Sequence, residues 1–79
     1  MRAPDPLDVT RIVLDWLAPR GWTRITSRRV EGGSVWEIRR GDEAVAVTAR
    51  DEELAAAEFP AMLVAVRLAD AVDEHDGLR

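Results

Sequence analysis

The chain has 79 residues, 47 % of them apolar, no cysteine and a formal net charge of −4. That length predicts one domain with a thin core, burying roughly 60–65 % of what the unfolded chain exposes, and little room for a deep substrate cavity. The lack of cysteine excludes disulfides, thiolate zinc sites and cysteine nucleophiles and suits a reducing cytoplasm; no apolar run approaches the roughly 20 residues of a membrane span, and Met1-Arg2-Ala3-Pro4-Asp5-Pro6 lacks the apolar stretch of a signal peptide.

Asp5-Pro6 reads as a helix start, with Asp as N-cap, Pro at the first helical position and Asp8 in the first turn. Val9, Ile12, Val13, Trp16 and Leu17 follow helical spacing, opposite Asp8, Arg11 and Asp15. Pro19 and Gly21 end this helix, placed at about 6–18. The period then changes. Trp22 to Glu31 alternates loosely, Gly32-Gly33 makes a hairpin turn, and Ser34 to Arg40 is a second strand. Gly41-Asp42 is a tight turn into a third strand, Glu43 to Ala49. Short connections imply an antiparallel meander.

Asp51-Glu52-Glu53 opens a short helical turn over 51–58, which Pro60 separates from a main helix running to about Glu74. His75, Asp76 and Gly77 end that helix, and the last residues are expected to fray. The fold class is therefore α+β, in the order α-β-β-β-α, with two helices on one face of a three-stranded antiparallel sheet. Ile25, Trp36, Ile38, Val45 and Val47 should face the helices. The other sheet face should show Arg24, Arg28, Glu37, Arg39, Ala46, Thr48 and Arg50. In the last helix Ala61, Val64, Ala65, Leu68 and Val72 share one arc, opposite Arg67, Asp70 and Glu74. They are expected to bury against Trp36, Ile38, Val45, Val9, Val13 and Trp16.

The chain offers little chemistry. His75, the one histidine, stands at an acidic helix end, remote from any nucleophile. Ser27 and Ser34 lie in no nucleophile elbow, and Gly32-Gly33 leads into no helix that would cradle phosphate. Asp51-Glu52-Glu53 and Asp73-Glu74-Asp76 lack the spaced ligands of a calcium loop. The first reads as helix-start charge and the second as a solvated face. The three tryptophans, Trp16, Trp22 and Trp36, read as core. No catalytic, cofactor-binding or metal-binding residue is assigned, and no cofactor is expected.

Charge is unevenly spread. Residues 20–50 carry seven arginines against four acids, for +3, and residues 51–79 carry two against eight, for −6. All eleven basic residues are arginine, and lysine, asparagine, glutamine and tyrosine are absent. The simplest source of that bias is a GC-rich genome.

The element order is similar to that of double-stranded-RNA-binding domains and the related toxin family called HicA. Trp16-Leu17-Ala18-Pro19-Arg20-Gly21-Trp22 resembles the end of the HicA first helix. The family's catalytic His follows Gly-Ser at its hairpin, and here Val35 follows Gly33-Ser34. The basic helix start that grips RNA is replaced by Asp51-Glu52-Glu53. That resemblance implies the fold without the activity. Gly21-Trp22 and Pro60 to Ala69 also resemble the phage ABA-sandwich family, whose likeness implies a small phage-type accessory protein.

These readings converge on a non-enzymatic protein-interaction module, of the phage or mobile-element accessory kind, that binds and inhibits a host complex, including one that handles nucleic acid. Nucleic-acid binding through the sheet arginines is the alternative, opposed by the net charge and the acidic last helix. No membrane partner is expected. The sheet face with Arg24, Arg28, Arg39 and Arg50 is the favoured site. Leu63 and Val66, on the polar side of the last helix, are the competing partner or homodimer contact.

Overall fold

The computed structural model describes residues 6–78. Helix α1 spans Pro6–Leu17 and tightens into a 3-10 turn, Ala18–Arg20. Strands β1 (Arg24–Val30), β2 (Gly33–Arg40) and β3 (Glu43–Arg50) follow, then α2 (Asp51–Ala56) and α3 (Pro60–His75). The expected N-cap, Asp5, lies outside the described residues. The strands form one antiparallel sheet in the order β1-β2-β3. The expected α-β-β-β-α architecture is the observed one.

The helices cover one sheet face. α3 lies over β3 and β2, and α1 packs beside α3. Arg20, just past α1, pairs with Asp73 and Asp76 at the end of α3. Near the other end, Asp8 and Ile12 share a depression with Pro60 and Met62. The two helices therefore run side by side in the same direction. Between helices and sheet, Val9, Val13, Leu17, Trp22, Trp36, Ile38, Ala49, Leu54, Val64, Ala65, Leu68 and Val72 form one buried cluster. Each large side chain there contributes about 1.5–3 kcal/mol by leaving water. Ile25, Val45, Val47 and Ala61 pack at its margin, partly buried.

Three expectations are corrected. Trp16 is 42 % exposed rather than core. The buried arc of α1 centres on Val9, Val13 and Leu17, and Trp16 flanks it in the last turn, too large for its neighbours to cover. Leu63 packs against the core instead of standing in solvent. Helical arithmetic treats α3 as covered on one side only, but α2 also contacts α3 and carries the cluster round to Leu54. The hairpin turn is Glu31-Gly32, and Gly33 already belongs to β2, opposite Val30. A Cβ at Gly33 would lie 2.4 Å from the Ala49 carbonyl oxygen, so only glycine lets β2 and β3 close here.

The close of α3 is also tied as far as Leu78, not frayed there. Gly77 N–H donates to the Glu74 carbonyl (3.2 Å) and Leu78 N–H to the Asp73 carbonyl (2.8 Å), with Gly77 at φ 77°. This is a Schellman closure of α3.

Candidate interaction surface

Side chains alternate across a strand, so register decides which arginine faces where. Trp36 and Ile38 point to the helices, and their partners are Ser27 and Ile25 in β1 and Val47 and Val45 in β3. The intervening residues form the open face. It carries Arg24, Thr26 and Arg28 from β1, Val35, Glu37 and Arg39 from β2, and Ala44, Ala46, Thr48 and Arg50 from β3. All four arginines expected on this face are there.

Their arrangement is particular. Arg24 stands directly opposite Arg39 across the β1–β2 ladder. Like charges at directly opposed positions repel, at a cost of some tenths of a kcal/mol. Arg39 turns to Glu37 at 3.1 Å, and Arg50 to Glu52 at 3.0 Å. Arg24 and Arg28 are exposed and have no ionic or hydrogen-bond partner among the described residues. The middle of the face is low where Thr26 and Ala46 flank Glu37 across the sheet. Thr26, Ser27, Arg28, Val35, Glu37 and Ala46 line a shallow depression of about 360 Å³.

The remaining paired arginines are engaged within the fold. Arg29, one residue from Arg28 and so on the other face, donates to Asp51 at the start of α2 (2.7 Å). Arg67 grips Glu53 and reaches the Thr48 carbonyl at 3.1 Å, fastening α3 to α2 and β3. Glu53 also accepts the Arg50 N–H (3.1 Å). These bonds, Arg67's first, hold the Glu53 carboxyl down at about 2.

The densest knot joins the end of α3 to the 3-10 turn before β1 and to the turn between β2 and β3. Arg40 donates to Glu43 (2.8 Å) and Asp76 (2.7 Å) and lies over the Trp22 ring, 4.5 Å from its centroid. Arg20 donates to Asp73 and Asp76, each at 2.7 Å. Asp76 keeps only 16 % of its side chain exposed. The guanidinium of Arg40, and then that of Arg20, hold its carboxyl at about 2. Glu43 is likewise held at about 2 by Arg40 and then His75. The indole Nε1 of Trp22 is buried and makes no hydrogen bond of normal geometry; its influence on Asp76 is the smallest of those acting there.

Two further expectations are corrected here. The acids closing α3 are not all a solvated face, because Asp73 and Asp76 are neutralised by arginines more than 30 residues away in sequence. His75 is not an idle terminal residue. Its Nε2 is 2.9 Å from Glu43 Oε1, and its ring meets Trp22 edge-on at 5.5 Å. Glu43, His75 and Asp76 stand close enough to suggest a cation site. The positive charge they surround is already present as the Arg40 guanidinium, so the cluster reads as a fastener. Ser34 serves structure too, accepting the Trp36 indole N–H at 3.0 Å.

Of the competing pair on α3, Val66 is exposed as expected and Leu63 is not. The apolar residues that accompany Val66 at the surface are instead Trp16, Phe59 and Met62. Trp16 was hidden by its place in an apolar helical pattern, and Phe59-Pro60 by its reading as a mere helix start. No helix among the described residues is long and apolar enough to cross a membrane. No protein-family model, curated protein or solved structure matches the chain.

Proposed function

We propose that the protein is a non-enzymatic interaction module whose open sheet face docks an acidic surface of a protein partner. The observation that carries this reading is the opposition of Arg24 to Arg39, with Arg28 unpaired on the same strand. A fold that engages its other sheet arginines in ion pairs, Arg39 with Glu37 among them, leaves Arg24 and Arg28 in water without one. Arginine suits such a role because its planar fork binds carboxylates in pairs. The small residues between the two ends of the row let a partner's backbone approach closely.

A protein fits this face better than a nucleic acid. Single strands bound on sheets are held by stacking on aromatic side chains, and the open face has none. A duplex would have to approach a molecule of net charge −4. Covering a partner's acidic face blocks that partner without chemistry. The likeness of Gly21-Trp22 and Pro60 to Ala69 to small phage accessory proteins supports placing the partner in a host complex, including one that handles nucleic acid.

The test is affinity capture on immobilised wild-type protein and on a folded Arg24→Glu/Arg39→Glu variant, beside a titration with generic duplex at low and physiological salt. The reading predicts a protein retained by wild type and lost by the variant, with no duplex binding at low micromolar concentration. Duplex binding that weakens steeply with salt and vanishes in the variant would replace it with the nucleic-acid reading.

A further inference from the structure

On the far side of the molecule from the arginines, the parallel course of α1 and α3 leaves a groove. Asp8, Arg11 and Ile12 of α1 and Glu58, Phe59, Pro60, Ala61 and Met62 at the start of α3 bound one section of it, about 300 Å³. Ile12 and Met62 therefore stand across the groove from one another. Four residues on, one turn along each helix, come Trp16 and Val66. Trp16 and Val66 are each 42 % exposed, Met62 41 % and Phe59 68 %. The large exposed apolar residues of α1 and of the α3 entry thus flank one groove, whereas scattered single ones would carry no meaning.

The rim of this groove is acidic. Asp8 and Glu58 line it beside the cation Arg11, and Asp15, seven residues on from Asp8, lies on the same face of α1. Asp8 and Arg11 already meet at 3.6 Å. The sign is opposite to that of the sheet face. A second copy docking groove to groove would set acidic rim against acidic rim, so charge argues against self-association. It favours an apolar strip bordered by cations. Two parallel helices with residues spaced by four present the ridges into which a third helix packs.

We propose that the groove between α1 and α3 is a docking site for a basic amphipathic helix of another protein. Trp16, Met62 and Val66 are its apolar anchors, with Phe59 closing one end, and Asp15 and Glu58 select for cations. This site stands independently of the sheet-face reading, since it uses none of the same residues.

The probe is a synthetic amphipathic helical peptide with leucine at every third and fourth position and lysine beside them, paired with a copy carrying glutamate for lysine. Binding is followed by fluorescence anisotropy of the labelled peptide and by tryptophan emission, because Trp16 is exposed while Trp22 and Trp36 are already buried. The expected result is saturable binding of the lysine peptide with a blue shift that is lost in Trp16→Phe. Val66→Asp should weaken it at least about tenfold, as for a central anchor. Asp15→Arg/Glu58→Arg, which leaves the apolar strip intact, should shift preference toward the glutamate peptide. Far-ultraviolet dichroism confirms that each variant is folded. No binding of the lysine peptide, equal binding of both peptides, or binding unchanged by Val66→Asp overturns the proposal. So does a dimer in sedimentation that Val66→Asp dissolves, since the occupant would then be a second copy.

Discussion

The open sheet face and the knot at the end of α3 are built from the same residue, used in opposite ways. In the knot, Arg20 and Arg40 share Asp73, Asp76 and Glu43, and Arg40 also covers Trp22. On the open face, Arg24 and Arg28 have no partner among the described residues, and Arg24 is set against Arg39. Both regions draw on the arginine-rich stretch of residues 20–50, so abundance says nothing about role. What separates the two regions is whether the fold supplies a counter-charge. On the reading proposed above, the interaction surface lies where Arg24 and Arg28 are left without one.

Several changes bear on that contrast. The largest effect is expected beneath both regions, at Leu68, which is fully buried on the core face of α3. Leu68→Ala should cost about 2–5 kcal/mol in chemical denaturation. For so small a domain that is a large part of its stability, and a variant that unfolds like wild type would disprove the packing described here. Next in size is Arg40→Ala. It strands Asp76 and Glu43 without their main counter-charge and uncovers Trp22, and the melting temperature should fall by several degrees. An unchanged melt would mean that the knot is decoration.

Acid should dissolve the knot without touching the open face. Glu43 falls from 4.5 and Asp76 from 3.8, each to about 2, on folding, and Glu53 falls from 4.5 to about 2. A carboxyl whose folded value is depressed stabilises the fold fully above its unfolded value and stops doing so as pH falls toward the folded one. The melting temperature should therefore drop between about pH 4.5 and pH 2. Arg40→Ala should flatten part of that drop, and Arg24→Ala none of it. High salt should narrow the difference, because these pairs are partly screened.

The smallest effect is the most pointed. Arg24→Glu alone places opposite charges across the β1–β2 ladder where like charges stood. Stability should rise slightly, by a few tenths of a kcal/mol, while partner binding falls. A loss of stability instead would show that Arg24 has a structural duty.

Much of this was legible before the structure. Alternation around Trp36 and Ile38 placed Arg24, Arg28, Arg39 and Arg50 on one face, because strand periodicity needs no knowledge of distant residues. Helical spacing identified Val64, Leu68 and Val72 for the same reason. The knot was not legible. Arg40 and Asp76 are separated by 36 residues, and only the packing of α3 over β3 and β2 brings them together. Trp16 and Leu63 were misplaced for a related cause. Periodicity gives the direction of a side chain, but whether the rest of the fold covers Leu63 or leaves Trp16 bare depends on neighbours that no local pattern encodes.

The central claim is that arginines without counter-charges mark the working surface. Its most direct test is binding of the captured partner by two folded variants measured side by side, Arg24→Glu/Arg39→Glu on the open face and Arg29→Ala on the helix face of the same strand. The account predicts that the first loses binding while keeping its melting temperature, and that the second keeps wild-type affinity. Equal affinity in the first variant, or equal loss in both, would contradict it.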